Sequence, residues 1–297
     1  MYFMGKYMYV LEDKVEKGKL YLVGTPIGNL KDITLRGIET LKGVDIILAE
    51  DTRQTLKLLN HLEISKPMIS YHRHNEKEKI DQVKKLLNEG KQIALVSDAG
   101  MPRVSDPGEA LVETLAKEGY DFIVIPGVTA ITTAICYAQF DTDRFVFEGF
   151  LPVHTTRRKS RLEELKYETR AIVFYEAPHK ILYTLKDLLK VMGNREICMA
   201  RELTKLHEEI RYSNLEDEIN RIEQEGIKGE IVLILRGNEN GITQKKEEEN
   251  RLSGIDNLSD KELVERYIES GTNKKEAIKK VAKERGKTKN EVYMECV

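Results

Sequence analysis

The decisive stretch of this sequence is Gln92-Ile93-Ala94-Leu95-Val96, followed directly by Ser97-Asp98-Ala99-Gly100-Met101-Pro102-Arg103-Val104-Ser105-Asp106-Pro107-Gly108. The apolar run predicts a buried β-strand, and the small residues, two glycines and two prolines after it predict a loop with exposed backbone. In open α/β sheets, ligands bind at the carboxyl ends of the strands. The stretch therefore predicts an α/β sheet with a ligand site at its edge.

Two further loops of the same kind follow strand-like runs. Gly24-Thr25-Pro26-Ile27-Gly28-Asn29-Leu30 comes after Leu20-Tyr21-Leu22-Val23. Pro126-Gly127-Val128-Thr129-Ala130 comes after Phe122-Ile123-Val124-Ile125. A single loop of this kind is compatible with an ordinary tight turn. Three of them at the same edge of a sheet indicate a ligand pocket.

Length and composition predict a globular protein with more than one domain. The 297 residues are 40% hydrophobic and 33% charged, which is typical of globular chains and predicts two domains with a small third unit. The sequence contains no apolar run of about 18 residues, the length that a membrane span requires. Residues 1–11 are apolar but lack the basic start and the cleavage site of a signal peptide. We therefore expect a cytoplasmic protein without a membrane partner.

The cysteines predict neither disulfide bonds nor a metal site. The chain has three, Cys136, Cys198 and Cys296, which are too few and too scattered for a disulfide framework or a zinc site. Cys136 and Cys198 lie in apolar runs, so we expect them to be buried as small apolar side chains. No metal ion is expected.

The first half of the chain alternates strand and helix signals. Over residues 20–140 this alternation indicates βαβ units and a mostly parallel sheet. One helix is predicted to begin near Thr34 and to end at Gly43, where the apolar periodicity stops. Pro107 suits the first position of a later helix.

The second half of the chain has a different pattern. Three strand-like runs, at residues 196–201, 209–212 and 230–235, follow one another without crossover helices, which predicts a mixed sheet with antiparallel pairs. From Ser259 onward the pattern is helical. Gly271 and Gly286 divide this part into about three short helices, as in a helix-turn-helix unit.

These patterns predict five segments, of which the last is basic. The segments are an N-terminal extension (1–18), a first α/β domain (19–141), a second α/β domain (142–237), a linker (238–258) and a helical tail domain (259–297). Residues 271–290 carry eight Lys or Arg and two Glu, whereas the whole chain has a net charge of −2. A basic unit on an acidic body is expected to recruit a polyanion.

The three small-residue loops predict a ligand with little negative charge. They match neither the G-x-G-x-x-G pattern nor a P-loop, and Arg103 is their one basic residue. A ligand with several phosphates usually requires more positive charge. Small loop edges together with Asp98 suit a ligand that carries an amino acid, a ribose and an adenine, which is consistent with S-adenosylmethionine.

Polar clusters after other strand-like runs leave two interpretations open. Ala49-Glu50-Asp51-Thr52-Arg53 either caps the next helix, with Asp51 or Thr52 as the cap, or faces a substrate. Residues 71–75 contain two histidines and an arginine, which suit RNA backbone or a polar loop; metal binding would need further ligands. Residues 174–179 and 200–205 are either ordinary surface loops or parts of a site.

Taken together, these blocks closely resemble one known enzyme family. The resemblance is to the bacterial ribosomal RNA small-subunit methyltransferase I family, which belongs to the tetrapyrrole-methylase (class III) group of S-adenosylmethionine-dependent enzymes. The matching blocks lie at residues 24–34, 49–53, 74–76, 95–108, 143–152, 174–176, 200–205 and 228–230. The resemblance is dense from residue 19 to about residue 236 and looser in the tail.

The resemblance implies a fold and an activity. The implied fold has two α/β domains with the cofactor in the cleft between them, followed by the small helical unit. The implied activity is 2′-O-methylation of a decoding-centre cytidine, position 1402 of 16S rRNA, with S-adenosylmethionine as the cofactor. The implied partners are 16S rRNA, either free or in the 30S ribosomal subunit, and a second copy of the chain.

The residues expected to bind the cofactor lie in the loops after the strand-like runs. They are Pro26, Ile27, Asp98, Ala99, Gly100, Val104, Val128, Thr129, Ala130, Tyr175, Leu203 and Glu230. Candidates for positioning the ribose or removing its proton are Glu50, Asp51, Arg53, Glu176, Glu202 and Lys205, and the sequence does not select among them.

Two basic segments are expected to contact RNA. The run at residues 157–161 places four cations near a predicted helix start, where they oppose the helix dipole, which favours a phosphate-contacting patch over a solvated helix start. The tail lysines suit either phosphate contacts or a solvated dimerisation helix. The predicted RNA contacts are Arg157, Arg158, Arg161, Lys274, Lys275, Lys279 and Lys280.

Two other functions remain open at this point. A methyltransferase that acts on small tetrapyrroles would share the sheet and the cofactor loops, but it would not need the basic tail. A non-enzymatic RNA-binding protein would not need the three small-residue loops. The sequence leaves undecided whether free rRNA or the assembled 30S particle is the substrate.

Overall fold

A computed structural model describes residues 18–247 and 258–296 of the chain. The predicted N-terminal extension lies outside the described residues except for Gly18, and so do residues 248–257 of the predicted linker. Residues 241–247 of that linker are helical rather than irregular. One compact unit holds the described residues up to Glu164 together with Arg170–Gly237, and a second holds Leu165–Thr169 and the described residues from Asn238 onward. The predicted domain boundaries stay predictions.

Within the described residues, the first sheet has five strands, and all of them are parallel. The strands are β1 (Leu20–Val23), β2 (Ile46–Ala49), β3 (Met68–Ser70), β4 (Ile93–Val96) and β5 (Phe122–Ile125). Their order across the sheet is β3-β2-β4-β1-β5. The helices of this half are α1 (Leu35–Gly43), α2 (Thr52–His61), α3 (Glu76–Asn88), α4 (Glu109–Lys117) and α5 (Ala130–Ile135), with a short 3-10 turn at Leu30–Asp32. The predicted βαβ arrangement is confirmed.

The central strands of this sheet, β1, β2 and β4, are apolar on both faces, and residues of the surrounding helices pack against each face. Alternate residues of β1 enter different cores: Leu20 and Leu22 pack on one side of the sheet, and Tyr21 and Val23 pack on the other. This alternation follows from the two-residue period of a strand. It explains why an uninterrupted apolar run forms a strand here.

Side-chain caps fix where two of the helices begin. The Thr34 hydroxyl accepts a hydrogen bond from the Gly37 N–H (3.0 Å) and starts α1, as predicted. The Asp51 carboxylate accepts one from the Arg53 N–H (2.8 Å) and starts α2. Such caps satisfy amide groups that have no partner inside the helix.

Five strands of the described chain form the second sheet, which is mixed, as predicted. They are β6 (Phe145–Phe150), β7 (Ala171–Glu176), β8 (Glu196–Arg201), β9 (Glu209–Asn214) and β10 (Ile231–Leu235), in the order β6-β7-β10-β8-β9. The pair β6–β7 is parallel, and the other pairs are antiparallel. The helices are α6 (Thr155–Leu165), α7 (Ile181–Met192) and α8 (Leu215–Glu225).

An apolar cluster joins the two halves of the first unit. Helix α5 follows the first sheet in the chain but packs against β10 of the second. The buried members of the cluster are Ile27, Ile131, Ala134, Ala171, Val173, Cys198, Ala200, Leu203, Val232 and Ile234. Because this cluster contains residues from both halves, it sets the distance between the carboxyl edge of the first sheet and the face of the second.

Two glycines bring backbone segments into close contact beside that cluster. A Cβ atom on Gly127 would lie 2.8 Å from the Gly24 Cα, so the loops after β1 and β5 pass at a distance that only glycine permits. A Cβ atom on Gly28 would lie 2.5 Å from the Lys205 Cγ and 2.9 Å from the Leu203 carbonyl oxygen. The loop after β1 therefore meets both the loop after β5 and the loop after β8.

Three short helices form the tail: α9 (Asp260–Glu269), α10 (Lys274–Glu284) and α11 (Lys289–Glu295). Their apolar faces share a small core that includes Leu263, Val281 and Val292. Gly271 and Gly286, both with positive φ, lie in the turns between the helices, as predicted. Capping boxes at the starts of α9 and α11 define those helix ends.

Two local predictions are wrong. Cys136 is exposed, because it follows the last residue of α5 at the helix end; Cys198 is buried, as expected. Pro107 is not helical: α4 begins at Glu109, and its cap residue Gly108 has a φ of 120°, which favours glycine at that boundary. None of the described helices has the length and the hydropathy that a membrane span requires.

We expect Gly127→Ala to lower the free energy of unfolding by ~3 kcal/mol, because the added Cβ meets backbone that cannot rotate away. Gly119→Ala is the control: its φ of 77° is left-handed and no atom lies within 4 Å of the added Cβ, so strain of about 1 kcal/mol is expected. Chemical denaturation measures both variants. Equal losses would contradict the close approach of the two loops.

Candidate active site

A cavity of about 370 Å³ lies between the carboxyl edge of the first sheet and the face of the second. This volume is in the range of small-molecule sites. Ten of the predicted cofactor residues line the cavity: Ile27, Asp98, Ala99, Gly100, Val104, Thr129, Ala130, Tyr175, Leu203 and Glu230. Pro26 and Val128 are not part of the lining but are next to residues that are.

The charged side chains among the described lining residues of the cavity are all acidic. Among the described residues that line it, five carry a carboxyl group and none is a Lys, Arg or His. The carboxyl residues are Glu50, Asp98, Asp106, Glu176 and Glu230. The remaining lining is largely apolar or small. Such a cavity favours a ligand that carries positive charge and disfavours a phosphate-rich one.

Reciprocal hydrogen bonds join the ends of β2 and β4. The Asp51 N–H donates to the Asp98 carboxylate (3.0 Å), and the Asp98 N–H donates to the Glu50 carboxylate. Desolvation raises the pKa of Glu50, and the charge of Asp98 raises it further. Desolvation also raises the pKa of Asp98, with a contribution from Asp51. The arrangement holds two carboxyl groups close together at the sheet edge.

Asp106 adds a third carboxyl group to this wall. Burial raises its pKa to about 7, and the charge of Glu50 contributes, while a hydrogen bond from the Ser97 side chain opposes the rise. The loop that carries Asp106 is strained: Arg103 and Ser105 have φ values of 73° and 67°. Strain of this kind is concentrated at functional sites. The Arg73 guanidinium holds the loop by donating to the Ser105 carbonyl oxygen.

The opposite wall is built from β7 and the residues after it. Glu176 is buried, and its carboxylate accepts hydrogen bonds from the Thr184 hydroxyl (2.6 Å) and the Ala177 N–H (2.9 Å). Both of its oxygens are therefore engaged in holding the end of β7 against α7. Tyr175 packs edge-to-face on Phe150, with ring centroids 5.7 Å apart. Burial raises the pKa of Tyr175 to about 12, so its hydroxyl keeps its proton.

A second carboxyl group on this side, Glu230, has a basic partner. The Lys205 ammonium lies 2.9 Å from the Glu230 carboxylate and 3.0 Å from that of Glu202. The Glu230 N–H donates to Glu202 (2.8 Å) and lowers the pKa of that carboxyl group. Gly229 suits the position beside this triad, because its φ of 90° favours glycine and a Cβ there would clash with the Glu202 side chain. Of these three residues, Glu230 lines the cavity.

Comparisons with known proteins give the family. The family model described as Tetrapyrrole (Corrin/Porphyrin) Methylases matches residues 19–218. A protein of Halalkalibacterium halodurans, named ribosomal RNA small subunit methyltransferase I, is 46% identical over 282 residues, which is 95% of this chain and 96% of that protein. The protein of the same name from Thermotoga maritima is 49% identical over 222 residues, which is 75% of this chain and 100% of that protein. The chain belongs to the ribosomal RNA small subunit methyltransferase I family.

Solved structures show the same fold at low sequence identity. A cobalt precorrin-4 methyltransferase has a TM-score of 0.58 and 19% identity, and the match covers 74% of this chain and 95% of that one. A uroporphyrin-III C-methyl transferase from Thermus thermophilus, solved with S-adenosylhomocysteine, has a TM-score of 0.55 and 18% identity over 73% of this chain and 97% of that one. The predicted tetrapyrrole-methylase fold is confirmed.

The structure separates the catalytic candidates of this ribosomal RNA small subunit methyltransferase I family member. Glu50 and Glu176 line the cavity. The remaining four do not. Asp51 caps α2, Arg53 is exposed on its first turn, and Glu202 and Lys205 belong to the ion-pair triad. The assignment of catalytic roles stays a prediction.

Two of the arginines predicted to contact RNA in this methyltransferase have carboxylate partners. Arg158 pairs with Asp187 of α7 (2.8 Å), and Arg161 pairs with Glu148 of β6 (2.8 Å). Arg157 is exposed. These partners lie in α7 and β6, so no local sequence pattern predicts that this basic run links α6 to those two elements.

Several lining residues of the methyltransferase cavity were missed by the sequence reasoning. They are Met101, Ser105, Asp106, Phe150, Ala177, Pro178, Ala200, Ile231 and Val232. Asp106 lies in the loop that decided the fold, but its position next to Glu50 depends on the pairing of strands. The described residues contain no group of three or more His, Cys, Asp or Glu side chains suited to hold a metal ion.

We expect Asp106→Asn to be more stable than the parent methyltransferase at about pH 8. The carboxyl group has a pKa of about 7 in the fold and an ordinary value of 3.8. Between these values the folded state binds more protons than the unfolded state, so the stability of the parent falls as the pH rises through this window. The variant lacks this loss. Melting temperatures measured from about pH 4 to about pH 8 test this; a difference that does not change with pH would contradict it.

Proposed function

We propose that the protein transfers the methyl group of S-adenosylmethionine to the 2′-hydroxyl of cytidine 1402 in 16S rRNA. The observation that carries this proposal is the cavity between the two sheets, with five carboxyl groups and no basic lining residue. Family membership supports small-subunit rRNA as the substrate.

The lining suits each part of S-adenosylmethionine. When bound, this cofactor supplies an electrophilic methyl group on a positively charged sulfur atom. The carboxyl groups of Glu50, Asp98 and Asp106 suit its positive charges. Ile27 and Leu203 offer apolar surface for an adenine ring, and the small loops let backbone groups reach the ligand.

The chain's residues contribute mainly by positioning. An activated methyl group needs no covalent intermediate, and correct alignment of reacting groups supplies ~7–11 kcal/mol in well-oriented systems. The Asp51–Asp98 and Glu50–Asp98 hydrogen bonds fix the wall that faces the ligand. A general base would add a factor of about 10²–10⁴. Glu50, Asp98 and Asp106 are the carboxyl groups on that wall, and none of them has a lysine or arginine partner among the described lining residues.

Methylation of a small tetrapyrrole is the main alternative. The fold neighbours named above act on such molecules, but they share less than 20% of their sequence with this chain. The basic tail favours RNA. The cavity disfavours a purely RNA-binding role, because nucleic acid does not need an acidic pocket.

The tail provides a surface that suits phosphate groups. Lys275, Lys279 and Lys283 are exposed and lie four residues apart on α10, so they form one stripe on the face opposite the buried Ala277 and Val281. Lysine side chains that neutralise phosphates release counterions from RNA. This stripe supports an RNA-binding role for the tail rather than a dimerisation role.

We expect the triple variant Lys275→Gln, Lys279→Gln, Lys283→Gln to bind 16S rRNA with a weaker dependence on salt. If each lysine contacts one phosphate, the slope of log affinity against log salt falls by about 2, because each contact to single-stranded RNA contributes about 0.7. Affinity for S-adenosylmethionine should not change. Filter binding across a salt series measures the slope.

The matched control removes the same charge from the first unit. Lys42, Lys57 and Lys117 are exposed on α1, α2 and α4 and do not line the cavity. Their triple substitution to Gln should leave the slope near that of the parent. Equal slopes for both triple variants would reject the role of the tail in RNA binding.

We also propose that a second copy of the chain covers β5. This strand lies at the edge of the first sheet and exposes Phe122, Ile123 and Val124. Three consecutive exposed apolar side chains on a sheet edge favour association.

The assembled 30S subunit is the proposed substrate form, and the cytoplasm, where ribosomes are made, is the proposed location.

Expression in a bacterial strain that lacks this modification tests the proposed function. We expect the chain to restore a 2′-O-methyl group at position 1402, mapped by primer extension and mass spectrometry. Purified protein should modify 30S subunits and should leave a porphyrinoid unmodified. Methylation of the porphyrinoid without any methylation of rRNA would overturn the proposal in favour of the alternative.

A further inference from the structure

The five carboxyl groups of the cavity differ in how they are held. Glu176 accepts two hydrogen bonds at the end of β7, and Glu230 pairs with Lys205. Both therefore have local partners on the wall formed by the second sheet. Glu50, Asp98 and Asp106 lie together on the opposite wall, where desolvation raises the pKa of all three; the charge of Asp98 adds to the rise for Glu50, and the charges of Glu50 and Asp98 add to the rise for Asp106.

Asp106 is the member of this group that several elements surround. It faces the carboxyl groups of Glu50 after β2 and Asp98 after β4, and the Ser97 side chain donates a hydrogen bond to it. The positive charge of Arg73, which follows β3, lowers the pKa of Asp106. The Arg73 guanidinium itself donates a hydrogen bond to the Ser105 carbonyl oxygen. From the second sheet, Tyr175 faces Asp106, and the charge of Asp106 contributes to the raised pKa of the Tyr175 hydroxyl.

This environment makes the protonation of Asp106 sensitive to any charge that enters the cavity. Its pKa of about 7 means that the carboxyl group is about half protonated at neutral pH. A cation nearby favours the ionised form and lowers the pKa of an acid. A neutral ligand has no such effect. The cofactor of the proposed function carries a positive sulfonium before methyl transfer and a neutral thioether after it.

We propose that Asp106 is a proton-linked counter-ion of the methyl donor, which releases its proton when the sulfonium cation binds and accepts the proton of the ribose hydroxyl when that cation is consumed. The inference rests on the proposed function and deepens it. The observation that carries it is the position of Asp106 in the cavity. Asp106 lies beside two other carboxyl groups, and none of the described lining residues is basic.

The charges and atoms balance through the reaction. Transfer of the methyl group forms an oxygen–carbon bond, breaks the sulfur–carbon bond, and leaves the electron pair of the broken bond on sulfur. The hydroxyl proton passes to the Asp106 carboxylate. The positive charge that held Asp106 ionised disappears in the same step, so the group that accepts the proton becomes a stronger base when the proton must be bound.

Calorimetric titration in buffers of different ionisation enthalpy tests the linkage, because it counts the protons released on binding. For the parent protein with S-adenosylmethionine, we expect about half a proton more than for Asp106→Asn at pH 7, and about a tenth at pH 8. The amine of the ligand contributes equally to both proteins, so the difference reports Asp106. With S-adenosylhomocysteine, the difference between the two proteins should vanish.

Asp81→Asn is the matched control, since it removes a carboxyl group from the exposed face of α3, away from the cavity. It should release as many protons as the parent. In Asp106→Asn, the ratio of the affinity for S-adenosylmethionine to that for S-adenosylhomocysteine should also fall roughly ten-fold. A fall of this size corresponds to a cation that lowers the pKa of Asp106 by about one unit when it binds.

The outcomes separate this inference from the proposed function. Failure of the parent protein to bind S-adenosylmethionine would overturn both. Normal binding, with equal proton release by the parent and Asp106→Asn, would overturn the inference alone. If Asp106→Asn does not fold, Asp106→Glu serves instead: it keeps the carboxyl group and should retain proton release, and a complete loss of release with intact binding would contradict the linkage.

Discussion

Carboxyl groups that are partly withdrawn from water, and have no basic residue in the same cavity, repel one another and resist ionisation. Glu50, Asp98 and Asp106 are held in this state at the edge of the first sheet. Without a ligand this arrangement reduces the stability of the protein at neutral pH. A cationic ligand relieves the repulsion. The electrostatics of this wall therefore determine both which ligand the cavity accepts and how its protonation follows the reaction.

The rest of the first unit keeps this wall in place and closes it. The buried cluster that includes Ile131 and Val232 fixes the two halves against each other, and glycine at positions 24, 28 and 127 lets three loops pass at backbone distance. Glu176 and the Lys205 triad complete the far side with groups whose charges are already engaged. In the resulting cavity, the carboxyl groups of the wall at the edge of the first sheet have no basic partner in the described lining.

The sequence predicted the elements that depend on local patterns. Apolar runs, the start of α1 near Thr34 and the glycines between the tail helices all act over a few residues, and the structure has them where expected. Asp51 caps α2, which is one of the interpretations that the sequence left open. The small-residue loops also predicted the edge that forms the cavity. The order of the strands and the joining of β2 to β4 through Asp98 depend on contacts between distant residues, which the sequence pattern does not contain.

The same limit explains the residues that were missed or misread. Asp106 becomes unusual only because Glu50, 56 positions earlier in the chain, is brought beside it. Arg158 and Arg161 read as free cations until the fold supplies Asp187 and Glu148. Pro107 was misplaced because α4 begins only at Glu109, after Gly108, whose φ of 120° is a conformation that favours glycine.

The charge of the cavity selects its ligand. Titration of the full-length protein with S-adenosylmethionine and with ATP, which share adenosine and differ in the sign of their charge, tests this most directly. Saturable binding of the first and none of the second is expected; tighter binding of ATP would contradict the account.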